Sequence, residues 1–221
     1  MQVWLGCPAD SLGLTLRVLA GALAAQLLLG LALAWVLARK RFPGRALLDA
    51  LVSLPLVFPP IVIGYLLLLA LGRQGWLAGL TGWSPEVVFQ PTALVIAAFI
   101  AGLPLMVKPV QNGLQAMSPR LKEAAATLGH GSWSHFLRVE LPLLRPALAT
   151  GLILSGGRAL GEVGISLMLG GNIAGRTETL SLSIYNAVLD GDTGCANALS
   201  WLLGVMALGC FLALRRYGNH A

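Results

Sequence analysis

The chain has 221 residues, 57% of them hydrophobic and only 11% charged, with a mean hydropathy of +0.79. A water-soluble domain carries about a quarter charged residues, so this chain lacks the polar material to face water on all sides, and lipid is the solvent for much of it. The net charge of +6 does not indicate a nucleic-acid binder, because the basic residues fall between apolar runs, where the positive-inside rule puts them.

Five segments are apolar and long enough to cross a bilayer, which takes roughly 20 residues at 1.5 Å rise. The first covers residues 12–37 and runs into Arg39, Lys40, Arg41 and Arg45. The second, 46–71, is interrupted by Pro55, Pro59 and Pro60. The third, 92–107, is short and carries Pro104. The fourth is 143–169, and the fifth, 196–214, ends at Arg215 and Arg216. The sequence thus predicts an all-α, polytopic helical bundle forming one domain over residues 1–221, with no linker or internal repeat. Its 27 glycines suit close helix packing in lipid.

Orientation follows from the Lys and Arg positions. The loop after the first span, the loop between the third and fourth (Lys108, Arg120, Lys122, Arg138, Arg145) and the tail together hold eleven of the fifteen basic residues. That side is cytoplasmic, which places the N-terminus outside and the C-terminus inside. The segment 172–192 is then a short polar outer loop. Cys7, Cys195 and Cys210 are odd in number and lack metal-ligand spacing.

The cytoplasmic loop at about 118–142 carries the most specific pattern. Ser118 with Pro119 starts a short helix well, Gly129 and Gly131 end it, and a second helix must stop before Pro142. The expected product is a helix–turn–helix knob with an Ala-rich side that seats in a partner's groove. A DNA-binding use is discounted, because both ends lie a few residues from lipid. Within the loop, Glu123-Ala124-Ala125, Gly129 and Val139-x-Leu141-Pro142 resemble the signature of bacterial ATP-binding-cassette (ABC) importer permeases, with Val in place of the usual Ile. The resemblance implies a coupling helix that docks on a nucleotide-binding subunit.

The stretches Phe42–Asp49 and Leu54–Tyr65, with Arg158-Ala159-Leu160-Gly161-Glu162-Val163-Gly164, Gly171-Asn172-Ile173 and Thr177-Glu178-Thr179-Leu180, look like the molybdate importer permeases. Tungstate and sulfate permeases share part of this pattern, so the class is firmer than the ion. The resemblance implies two permease copies, two ATPase subunits that bind ATP and Mg, and an external oxyanion-binding protein, in the bacterial cytoplasmic membrane. No cofactor or metal is expected on this chain.

Physical readings stand beside that resemblance. Pro59 and Pro60 remove backbone donors and break a helix; the break is either a packed kink or part of the translocation path, where freed carbonyls meet water. Arg158 and Glu162, four apart on the fourth span, share one helix face. They either pair only with each other or face the path of a dianion, with Glu162 orienting Arg158. Gly161 and Gly164 permit close packing or a bend near the outer mouth.

No Gly-x-x-x-x-Gly-Lys-Ser/Thr loop is present to cradle ATP. Ser155 precedes two glycines, but no His lies in a span to serve as its base, which weighs against an intramembrane protease. No catalytic residue is assigned. The remaining rival is a transporter driven by an ion gradient.

Overall fold

The protein is described from a computed structural model that covers Cys7 and residues 10–81, 86–118 and 136–219. The described residues form helices and no strand. Helix α1 (Asp10–Ala25), a π-helical turn at Gln26–Gly30 and α2 (Leu31–Arg39) together make the first span. It stops where Lys40 turns extended inside the basic cluster.

The second expected span is two helices rather than one. α3 (Arg45–Val57) retains Pro55 within it, and α4 (Pro60–Leu71) begins after a break at Phe58 and Pro59. The cause is local: a residue before proline is forced extended, and Phe58 has ψ 140° while Pro59 has ψ 128°. Pro60 then occupies the first turn of α4, where its missing N–H costs nothing. The apolar run long enough to cross is Pro60–Leu80, which includes the short α5 (Trp76–Thr81).

α6 (Pro91–Ala116) has 26 residues and is the buried centre of the bundle, packed against α1, α2 and α3. Ala93, Ala97, Ala98, Ala101 and Gly102 are buried along it, and their small side chains let neighbouring backbones approach. It outlasts the expected span, and neither Pro104 nor Pro109 ends it. Lys108, expected in the cytoplasmic loop, is therefore on this helix.

The chain resumes as a π-helical turn, Phe136–Glu140, and a single turn, Leu141–Leu143, that lead into α7 (Arg145–Leu160). α8 (Gly164–Gly170) follows at an angle of 59°, so the fourth span is broken at the glycines where the sequence permitted either close packing or a bend. The segment 172–192, expected as a polar outer loop, is not simply a loop. It contains α9 (Leu180–Leu189), on which Leu180, Ser181, Leu182, Ser183 and Ala187 are buried. The last helix, α10 (Thr193–Asn219), is longer at both ends than the expected 196–214. Cys7 and Cys195 form a disulfide across 188 positions, which no spacing rule anticipated.

Among the described residues, four helices are long and apolar enough to cross a membrane, or five with the bent α7–α8 pair as one. Large side chains such as Leu28, Val57, Leu80 and Trp201 are 71–87% exposed on the outside of the bundle. For a chain in lipid that is the expected lining.

Candidate functional site

The two helix breaks touch. A Cβ placed on Gly164 would lie 2.9 Å from Pro60 Cβ and 3.0 Å from the Ile61 nitrogen, so only glycine lets the start of α8 meet the start of α4. One turn later Gly64 faces α8 in the same way, 2.8 Å from Met168 Cβ and 2.9 Å from Ile165 Cα. Ile63, Ala97, Ala101 and Ile165 close this junction against α6. Pro59 stays exposed and Pro60 is half-buried, so the proline break opens onto the surface of the chain.

Glu162 occupies the other break. Its Oε1 accepts the Ile165 backbone N–H at 2.7 Å, which satisfies one of the free donors that begin α8. Its Oε2 pairs with Arg158 Nη1 at 2.5 Å. The two side chains differ in access, at 1% exposed for Glu162 and 29% for Arg158. The carboxylate is thus enclosed and neutralised, while the guanidinium keeps a free edge. Both readings of the pair therefore remain compatible with the geometry: the ions hold each other, and Arg158 still presents positive charge outward. Gly161 is exposed beside them, and a Cβ there would meet nothing closer than the Gly157 oxygen at 3.8 Å.

An open groove of about 500 Å³ runs past Gly157 and Gly161 to Ser181 on α9 and to Ser200, Gly204 and Ala207 on α10. Among the described residues no three His, Cys, Asp or Glu side chains cluster as metal ligands.

Glu123, Ala124, Ala125 and Gly129 of the signature loop lie outside the described residues. The loop's returning arm is described, and it is anchored firmly. Leu141 and Pro142 sit half-buried in the single turn before α7. Next to them, buried Glu140 accepts a hydrogen bond from Arg39 Nη2 at 2.7 Å, which ties the arm to the end of α2. Leu144 is fully buried with Ala34, Leu37, Met106 and Val110. On the neighbouring side, Asp49 of α3 accepts from Lys108 Nζ at 2.8 Å and Gln111 Nε2 at 3.2 Å on α6. Sequence reasoning missed Glu140 and Lys108 as structural ions. The only signal was that each is a charge at the edge of an apolar run.

The described helices that are long and apolar enough to cross a membrane thus break at one shared junction, with an ion pair in one break, and the arm before α7 is tied to the end of α2. Residues 26–218 match the family described as binding-protein-dependent transport system inner membrane component. The chain belongs to that family: it is a multi-pass inner-membrane permease subunit of an ABC transport system, not an enzyme in itself. It is 38% identical over 187 residues to the molybdenum transport system permease protein ModB of Escherichia coli (strain K12), which covers 83% of this chain and 82% of that protein. It is also 38% identical over 190 residues to the ModB of Azotobacter vinelandii, covering 85% and 83%. The sulfate transport system permease protein CysT of E. coli K12 is 39% identical over 175 residues, covering 77% of this chain and 62% of CysT. Among solved structures, a bacterial ABC transporter involved in the import of the acidic polysaccharide alginate superposes with a TM-score of 0.77 at 19% identity, over 96% of this chain and 78% of that one. That likeness speaks for the fold alone.

Proposed function

We propose that this chain is the membrane permease of an importer for molybdate. The observation that carries the reading is the match to molybdenum permeases over more than four-fifths of both sequences. The sulfate permeases are a second reading, because CysT is as similar residue for residue over a smaller part of its own length. The working unit in this reading is a pair of permease chains, two ATPase subunits carrying ATP and Mg, and an extracytoplasmic oxyanion-binding protein. Five spans enclose a path poorly alone, and closed symmetric pairs are the common solution. A solved alginate transporter in complex with its substrate-bound periplasmic protein, with a TM-score of 0.74, supports the outer partner by analogy of fold.

The N-terminus lies outside and the C-terminus inside. The distribution of Lys and Arg supports this, and so does the Cys7–Cys195 disulfide beside the start of α1, since disulfides persist on the oxidising side of the membrane. ATP-driven approach of the ATPases moves the loop around Glu123, Ala124, Ala125 and Gly129. The Arg39–Glu140 pair and buried Leu144 carry that movement into α2 and α7. The junction of Pro59, Pro60, Gly161 and Gly164 is the gate, and Arg158, held by Glu162, is the cation that meets the dianion.

The test is uptake of radiolabelled molybdate into vesicles holding the permease, its ATPase and the loaded binding protein. ATP-dependent uptake that Glu123→Arg abolishes supports both the permease and the coupling loop. Uptake of sulfate or tungstate alone keeps the class and changes the ion. Uptake indifferent to ATP overturns the reading in favour of a gradient-driven transporter.

A further inference from the structure

α9 starts in an unusual place for a helix. Its C-terminal part packs on Cys195 and Ala196, at the outer end of α10. Ser181, at its other end, shares the groove with Leu203 and Gly204, about 12 Å further along α10 at 1.5 Å per residue. Leu180 N–H donates to Thr15 Oγ1 on α1 at 2.9 Å, and Ser181 Oγ donates to the Leu160 carbonyl at the end of α7. α9 is therefore a half-helix that enters from the outer side, with its N-terminus directed into the membrane interior.

That N-terminus is rich in donors without acceptors. Thr179 is the N-cap, yet its side chain makes no capping bond. Among the described residues Thr179 Oγ1 is buried with no partner, and so is Ser183 Oγ, one turn on and on the same side of the helix. Thr179 is 7% exposed and Ser183 2%. The Ser183 N–H reaches the Thr179 carbonyl; between it and Leu180, the Ser181 and Leu182 N–H groups find no acceptor among the described residues. The first amides of any helix lack an intrahelical acceptor, but buried hydroxyls are nearly always paired, so two unmet hydroxyls beside those amides are a departure. The positive end of the helix dipole points the same way. Of the nearby carboxylates, Glu162 is ion-paired with Arg158 and accepts the Ile165 N–H, and Glu178 Oε1 accepts from Asn186 Nδ2 at 2.9 Å, towards the outer end.

We propose that the α9 N-terminus, with the hydroxyls of Thr179 and Ser183, is a transit site for a tetrahedral oxyanion inside the membrane. An oxyanion offers acceptors only, which is what this cluster lacks. Half-helix termini are the usual way to meet an anion at that depth without a full charge. Two hydroxyls and two amides replace only part of a hydration shell, so the ion is held weakly enough to move on. The inference rests on the oxyanion-importer reading above and names a station within it.

The experiment uses the complete importer in vesicles and reads molybdate uptake and binding-protein-stimulated ATP hydrolysis together. Thr179→Val and Ser183→Ala are each expected to lower molybdate moved per ATP by about tenfold, the worth of one hydrogen bond to an ion. ATP hydrolysis stays near the wild-type rate, and Thr179→Ser restores uptake. If the hydroxyls serve no ion, removing an unmet buried donor stabilises the protein and leaves uptake per ATP unchanged, and the site is wrong while the importer reading stands. Equal defects in Thr179→Ser and Thr179→Val at equal protein level also overturn the site. Wild-type vesicles that move no molybdate, tungstate or sulfate sink the importer reading itself.

Discussion

The break between α3 and α4 is made by two prolines and lies open on the surface of the chain, whereas the break between α7 and α8 is made by a short glycine-flanked turn and sealed by a buried carboxylate. The first is fixed by covalent structure, since each proline ring locks its own φ and neither can supply an N–H to continue the helix. The second is held by two noncovalent contacts of one side chain, Glu162 to Ile165 and to Arg158. The two meet at Gly164 and Pro60. A junction with one fixed half and one half held by an ion pair is expected to yield first on the α7–α8 side.

That asymmetry predicts unequal costs. Arg158→Gln leaves Glu162, 1% exposed, without its counter-ion, and the loss of one partner of a buried pair costs about 3 kcal/mol. Thermal unfolding in detergent should show the largest drop of any substitution at the junction, and uptake should fall with it. Glu162→Gln costs less, about 1 kcal/mol, because the amide oxygen still caps Ile165 and the half-exposed guanidinium reaches solvent. If Arg158→Gln leaves protein level and transport unchanged, neither the pathway reading nor the hinge survives.

How much of this was legible in the sequence depends on the distance over which the cause acts. The helical, membrane-spanning character and the proline break are local properties, carried by hydropathy and by Pro59-Pro60 themselves, and they could be read directly. The far end of α6 was hidden because Lys108 and Gln111 look like loop residues. They are helical because Asp49, on another helix, accepts from both. α9 was hidden because Ser181, Ser183 and Asn186 give it a loop-like composition, while its burial comes from α1, α7 and α10. The fourth-span break was half legible: Gly161 and Gly164 permitted a bend as well as close packing, while an Arg158–Glu162 pair four apart fits a continuous helix as well as a helix end. Only the structure shows that Glu162 caps the next helix instead of continuing the last.

The glycines sharpen the comparison at a smaller scale. Gly164→Ala drives a methyl group to within 2.9 Å of Pro60 and 3.0 Å of the Ile61 nitrogen. Neither neighbour is a flexible side-chain end, so overpacking of about 2 kcal/mol is expected. Gly161→Ala, three residues earlier and open to the groove, should change stability by no more than about 0.5 kcal/mol. Equal melting temperatures for the two variants would show that α8 does not rest on α4, and the shared junction would be lost as an explanation.

The smallest effect belongs to the prolines, and it separates rigidity from stability. Pro59→Ala returns one N–H to an exposed position, while Pro60 still forces the residue before it out of the helix. The break therefore persists, and the stability change should stay within about 0.5 kcal/mol. Replacing both prolines by alanine removes the restriction and lets α3 run into α4. The double variant should then melt no lower than wild type and yet lose uptake, because the fixed half of the gate has become a continuous helix. Stability kept with transport lost would establish that the sequence holds Pro59-Pro60 for the path and not for the fold; unchanged transport would move the gate to the α7–α8 break alone.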